Sequence, residues 1–189
     1  MLRLALLRHG ATAWSAEGRI QGRTDVPLSD AGRTALRSFD LPKMCREMRM
    51  VTSPLTRCVE TAALLGAPHA EREPRIIETS WGEWEGRRLA ELRTELGAAM
   101  QENEARGWDF RPAGGESPRE VLARLRGWLA ELSAPTLAIT HRGVIRAVFA
   151  AAAGWDLRGK PPAKLDMSAV QLFRLGAEGA PAIEQLNLR

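Results

Sequence analysis

The chain has 189 residues, 44% of them hydrophobic and 26% charged, a length that fits one domain or at most two small ones and suffices for a core without disulfides or a structural metal. Its 17 glycines and 11 prolines sit in an ordinary apolar background, which excludes collagen-like, low-complexity and disordered classes. The net charge of +4 rests on arginine, since Lys43, Lys160 and Lys164 are the only lysines among 27 basic residues, and these are interleaved with 23 carboxylates rather than gathered into a stripe.

In chain order, the apolar run Arg3–Leu7 predicts a strand buried on both faces, followed by a polar loop from Gly10 to Leu28. Ser29 is an N-cap for a helix to Phe39, and Met48–Thr52 predicts a second buried strand. Ser53-Pro54 supplies an N-cap and a first-turn proline for a helix to Leu65, ahead of Gly66. Arg75–Ile77 predicts a short extended piece that leads into a Trp/Gly/Glu-rich loop. Helical patterns run over Leu89–Asn103 and Pro118–Ser133, the second opened by the capping box Ser117-Pro118-Arg119-Glu120. Thr136–Thr140 predicts another buried strand and Gly143–Ala152 a helix. Val170–Leu175 and Ala182–Leu188 close the chain as two strands around a Gly/Pro turn. This alternation argues for a three-layer α/β/α sandwich on a mostly parallel central sheet.

The sequence argues against several partners and compartments. No aromatic-basic motif for nucleic acid appears, so an anionic small substrate is the expected use of the surplus charge. The N-terminal apolar stretch stops at Arg8-His9, short of a secretory segment, and the longest later run, Ala147–Trp155, is about half a membrane span. With Cys45 and Cys58 as the only cysteines and no CxxC spacing, neither a disulfide framework nor a zinc site is expected. A cytoplasmic location, with no membrane partner, follows as an expectation.

Two of the three histidines occupy matched contexts. Leu7-Arg8-His9-Gly10 and Thr140-His141-Arg142-Gly143 each place an imidazole just past a buried strand, where ligands of open α/β sheets bind. His69, after Pro68 in a polar loop, is expected at the surface. Arg57 falls in the first turn of a helix, where free N–H groups and the helix dipole favour anions. With Arg8 it makes a guanidinium pair suited to forked hydrogen bonds with phosphoryl oxygens.

These segments carry a family resemblance. Leu7 to Trp14 with Gly18-Arg19-Ile20-Gln21-Gly22 and Asp25-Val26-Pro27-Leu28-Ser29 form the first block. Ser53-Pro54-Leu55-Thr56-Arg57-Cys58-Val59-Glu60-Thr61-Ala62, Glu78-Thr79-Ser80-Trp81-Gly82-Glu83-Trp84-Glu85-Gly86 and Thr140-His141-Arg142-Gly143-Val144-Ile145-Arg146 form the other three. Together they resemble, in order, the histidine phosphatase (phosphoglycerate mutase-like) superfamily. The resemblance implies one such domain over residues 1–189 and a phosphomonoesterase that needs no metal and no cofactor. It makes His9 the nucleophile through Nε2, Arg8, Arg57 and His141 the holders of the phosphoryl oxygens, and Glu78 the general acid and base, with Glu83 and Glu85 as rival carboxylates. It carries substrate contacts onto Thr12, Ser15, Gln21 and Gly22. Ala11 stands where an acidic residue is common, Ser15 where asparagine is frequent, and Arg142 where glycine is frequent; Arg142 either points away from the cleft or adds an anion contact. Cys58 is expected as a small buried helix residue. Residues 98–116, with Trp108, Phe110 and Arg111, are the candidate substrate lid. The Trp-Glu-Gly third block and the short chain favour a phosphatase acting on a small phosphorylated metabolite. A phosphoglycerate mutase-type transfer and a non-catalytic phospho-ligand-binding module are the alternatives.

Overall fold

The structure, a computed structural model, describes residues 2–189. In chain order the strands and helices are β1 (Leu2–Arg8), α1 (Ala13–Ala16), α2 (Asp30–Arg37), α3 (Lys43–Arg46), β2 (Arg49–Thr52), α4 (Thr56–Leu64), β3 (Glu71–Arg72), α5 (Leu89–Leu96), α6 (Ala98–Glu104), α7 (Pro118–Glu131), β4 (Thr136–Thr140), α8 (Arg142–Ala153), β5 (Val170–Leu175) and β6 (Pro181–Leu188). The six strands form one sheet in the order β3-β2-β4-β1-β5-β6. The first four are mutually parallel, while β5 and β6 close one edge antiparallel.

Period-two alternation along the central strands divides the core between the two faces of the sheet. Leu4 and Leu6 of β1, Ala138 of β4 and Phe173 of β5 pack with Leu125 and Trp128 of α7 and with Val148 and Phe149 of α8. Ala5 and Leu7, Leu137 and Ile139, and Leu172 face the other way, against Leu41, Cys45 of α3 and Cys58 and Ala62 of α4. Helices therefore cover both faces, giving the three-layer sandwich. The five residues of β4 are all buried, as a strand with a layer on each side requires. Each Leu, Ile or Phe so buried contributes about 1.5–3 kcal/mol relative to exposure. A smaller cluster of Trp84, Leu92 and Met100, with Trp81 and Phe110 against it, builds the outer wall beside the strand ends.

The local expectations hold at most ends and fail instructively at four. Ser29 caps α2, its hydroxyl accepting from Gly32 N, but the helix stops at Arg37 rather than Phe39. The pattern over Leu89–Asn103 breaks into α5 and α6 because Gly97 turns at φ 49°. Arg75–Ile77 is not an extended piece. Pro74–Ile76 is a 3₁₀ turn whose N-terminus is capped by Glu73, and the short strand of that region is Glu71–Arg72. Finally, Ser53-Pro54 does not open α4, which starts at Thr56 after an extended Leu55. Ser117 and Glu120 do form the capping box expected of α7. No helix among the described residues is long and apolar enough to cross a membrane.

Candidate active site

The register of the sheet brings the two histidines together. In the parallel pair β1 and β4, Arg8 stands opposite Thr140, so His9 and His141 follow side by side, with His9 N donating to Thr140 O at 3.0 Å. Their ring centroids are 5.2 Å apart. On the other side of β4, Ser53 N donates to Ile139 O, which sets Ser53 beside His141, and the two share a 2.7 Å hydrogen bond between Ser53 Oγ and His141 Nε2. Ser53 thus holds an imidazole instead of capping α4.

His9 Nδ1 lies 2.7 Å from Gly10 O. A carbonyl only accepts, so Nδ1 carries the proton and Nε2 keeps the lone pair. Burial, with the Arg8 and Arg57 charges adding to it, pushes the His9 pKa well below the ordinary imidazole value despite the Gly10 bond, so the ring is neutral across the physiological range. His141 is shifted the same way, by burial first and then by His9, Arg57 and Arg8. His141, which the resemblance makes a holder of phosphoryl oxygens, is fully buried beside His9 with Nε2 on Ser53 Oγ, and the cavity wall does not include it.

Arg8, His9, Arg57 and Glu78 line one cavity of about 670 Å³ at the strand ends. Arg57 is fully buried, its Nη1 donating to Thr24 O at 2.9 Å and its Nη2 to Gly22 O at 2.7 Å. The Nε–H groups of Arg8 and Arg57 are buried without any partner. Orphaned donors on two cations beside a neutral imidazole are a cost that an incoming acceptor would relieve. Thr61 links the two elements that present these groups, since its hydroxyl accepts from Gly10 N and donates to Arg57 O. The start of α4 is held from another loop by Asp25, which accepts from Thr56 N at 2.8 Å and Thr56 Oγ1 at 2.7 Å. Sequence offered no signal for this cap, because it comes from a loop on the far side of α2 and β2.

The three rival carboxylates separate cleanly. Glu83 is exposed and absent from the cavity wall. Burial alone would push Glu85 up, but hydrogen bonds from Thr24, Arg23 N and Trp81 N outweigh it and hold it below the usual carboxylate range. Its role is to clasp the turn after Gly22 to the Trp81 loop. A Cβ on Gly22, already at φ +53°, would fall 1.9 Å from Glu85 Oε1, so glycine is required there. Glu78 is buried and lines the cavity, and burial raises its pKa in spite of bonds from Thr79 N at 2.8 Å and Gly143 N at 3.1 Å and the charges of Arg57 and Arg8. Thr140 Oγ1 donates to Ile76 O at 2.8 Å, tying the end of β4 to the segment that presents Glu78.

The outer contacts divide. Ser15, Gln21, Gly22 and Arg142 line the cavity, whereas Thr12 does not. The Thr12 hydroxyl is used in the turn: it caps α1 by accepting from Ser15 N and donates to Gln21 Oε1 at 2.7 Å. From residues 98–116, Glu104, Gly107, Phe110 and Glu116 reach the wall. Trp108 packs on the core instead, and Arg111 turns outward to pair with Glu120. Cys58 is fully buried next to His141 and burial pushes its thiol far above the ordinary range, which makes it inert. Among the described residues, no three His, Cys, Asp or Glu side chains group as a metal-ligand set.

Comparison with known proteins decides the family. A model of the histidine phosphatase superfamily (branch 1) matches residues 4–189. The chain belongs to this superfamily. Within it, the chain is 34% identical over 167 residues to a glucosyl-3-phosphoglycerate phosphatase of Mycobacterium tuberculosis, covering 79% of this chain and 74% of that one. It is 30% identical over 162 residues to 2,3-bisphosphoglycerate-dependent phosphoglycerate mutase 2 of Gloeobacter violaceus, covering 78% and 74%. Among solved structures, that of mycobacterial glucosyl-3-phosphoglycerate phosphatase in complex with VO3 superposes with a TM-score of 0.78 at 28% identity over the full length of both chains. Phosphatases and mutases are thus both relatives of this histidine phosphatase superfamily member.

Proposed function

We propose that the chain is a metal-independent phosphomonoester hydrolase that turns over a small phosphorylated metabolite through a phosphohistidine on His9. The observation that carries this reading is the pairing of a neutral His9, its proton fixed on Nδ1 by Gly10 O, with the two unpartnered guanidinium donors of Arg8 and Arg57 in one cavity. The Nε2 lone pair attacks phosphorus, and the ester P–O bond breaks as the N–P bond forms. Arg8 and Arg57 hold the non-bridging oxygens, and His141, its ring centre 5.2 Å from that of His9, is the third group proposed to meet them as the phosphoryl moves. Glu78, whose pKa burial raises, gives its proton to the leaving alkoxide. The resulting carboxylate then takes a proton from water. That water displaces His9 from phosphorus, releases inorganic phosphate and restores both groups. Ser15, Gln21, Gly22 and Arg142 contact the rest of the ester, and Thr12 acts through Gln21.

The chain forms one domain in this reading, with residues 98–116 closing over the substrate chiefly through Phe110, whose ring sits edge-on to Trp81 at 5.9 Å. Two free, buried cysteines support a reducing, cytoplasmic setting. A panel of phosphate monoesters, run with and without chelator and beside a coupled phosphoglycerate-mutase assay, tests the proposal. Release of inorganic phosphate unaffected by chelator, and faster than phosphoglycerate interconversion, is expected. Faster interconversion would make the chain a mutase, and saturable binding without turnover would make it a binding module.

A further inference from the structure

Arginine is the dominant cation of this chain, and most of its guanidinium groups are neutralised. Arg19 and Arg93, on the cavity wall, pair with Glu17 and Glu104 at 2.7 Å each. Of the arginines without a carboxylate partner among the described residues, Arg37, Arg72, Arg106 and Arg126 are exposed elsewhere. The remaining four, Arg8, Arg57, Arg142 and Arg146, all line the same cavity. Arg142 and Arg146 are one turn apart at the start of α8, a like-charged pair at the end of a helix whose dipole disfavours cations. The Arg146 guanidinium lies 5.5 Å over the centre of the Trp155 ring, which fixes it without neutralising it. Arg142 in turn depresses the pKa of both Arg8 and Arg146, behind the effect of burial in each case.

We infer that Arg142 and Arg146 form a second anion subsite, and that the substrate is a phosphate monoester bearing a further anionic group, a carboxylate or second phosphate, on its alcohol portion. This rests on the phosphatase reading, in which Arg8 and Arg57 are occupied by the reacting phosphoryl group. Neither of the other two cations then has a counter-charge until such a group arrives, and guanidinium forks suit both kinds of anion.

Two substrate pairs test it. 3-Phosphoglycerate and glycerol 3-phosphate differ in a carboxylate for a hydroxymethyl, and 1,3-propanediol bisphosphate and propyl phosphate differ in the second phosphate. In at least one pair, kcat/KM for the anion-bearing member is expected to exceed that of its partner by about tenfold or more, and Arg142→Ala to bring the ratio within about threefold of unity. Arg142→Lys should keep part of the preference. Ratios near unity in the native chain for both pairs, or a preference untouched by Arg142→Ala, would overturn the subsite. If neither these esters nor p-nitrophenyl phosphate is hydrolysed at all, it is the phosphatase reading that fails. Calorimetric titration of the same pairs then still decides the subsite. Tighter binding of an anion-bearing member that Arg142→Ala abolishes upholds it, and equal binding rejects it.

Discussion

Burial acts in opposite directions on the two groups that matter most. It disfavours the charged form of each, lowering the pKa of the His9 base and raising that of the Glu78 acid. A nucleophile needs a free lone pair and a proton donor needs its proton, and both shifts enlarge the share of molecules that hold the two together. Replacing Glu78 by Gln keeps an oxygen to accept from Thr79 N and Gly143 N but removes the proton. Turnover of alkyl phosphates should fall by about 10²–10⁴, with a much smaller fall for p-nitrophenyl phosphate, whose leaving group needs no proton. The loss of rate that the native chain shows as pH rises through the Glu78 pKa should vanish in the variant. Stability moves the other way. A carboxyl whose folded pKa lies above its unfolded value favours the fold where it is protonated, and that contribution is lost as pH rises through the folded value. Glu78→Gln should therefore have the higher Tm of the two at pH 8, and equal or lower Tm there would contradict the assignment of a raised pKa.

At the level of elements, Gly143 in the first turn of α8 decides whether Glu78 can sit where it does. A Cβ on Gly143 would fall 2.2 Å from Thr79 Oγ1 and 2.4 Å from Glu78 Oε1. Gly143→Ala is expected to cost about 1–3 kcal/mol in urea unfolding, as overpacking does. By displacing the acid it should also slow alkyl phosphate turnover by about 10²-fold. Normal kinetics with normal stability would show that the loop yields freely. The strand ends that carry His9 and His141 were legible in the sequence because continuous apolar runs mark strands buried on both faces, and a histidine directly after such a run is placed by the strand itself. What escaped was set by contacts between distant segments. Ser53 has the composition of a helix cap, yet sheet register puts its hydroxyl on His141. Asp25 sits in an unremarkable loop and caps α4 across the fold. Glu85 and Glu78 are equivalent as letters in one loop, and what separates them is that Glu78 lines the cavity while Glu85 is taken up by the N–H groups of Arg23, Thr24 and Trp81.

For the whole molecule, the strand order is what assembles the site. The chain leaves β1 for β2 and β3 and returns with β4 between β2 and β1, so three successive parallel strand ends deliver Ser53, His141 and His9 in a row. The cost of this arrangement is a pair of buried neutral imidazoles. Their folded pKa values lie below the unfolded one, so the stability they permit is full above pH of about 6.5 and is lost as pH falls towards the folded values. The native chain should lose Tm between pH 7.5 and pH 5, and His141→Gln, with one titrating ring fewer, should lose less. An identical loss in both would remove His141 from the acid response.

The most direct measurement is rapid acid-free quenching of the enzyme with a phosphorus-labelled monoester, followed by peptide mapping of the protein-bound label. The expected result is stoichiometric phosphate on His9, labile to acid and stable to base, and its complete absence from His9→Ala together with loss of turnover. Label on another residue, or undiminished hydrolysis by a folded His9→Ala chain, would contradict the assignment of His9 as the nucleophile.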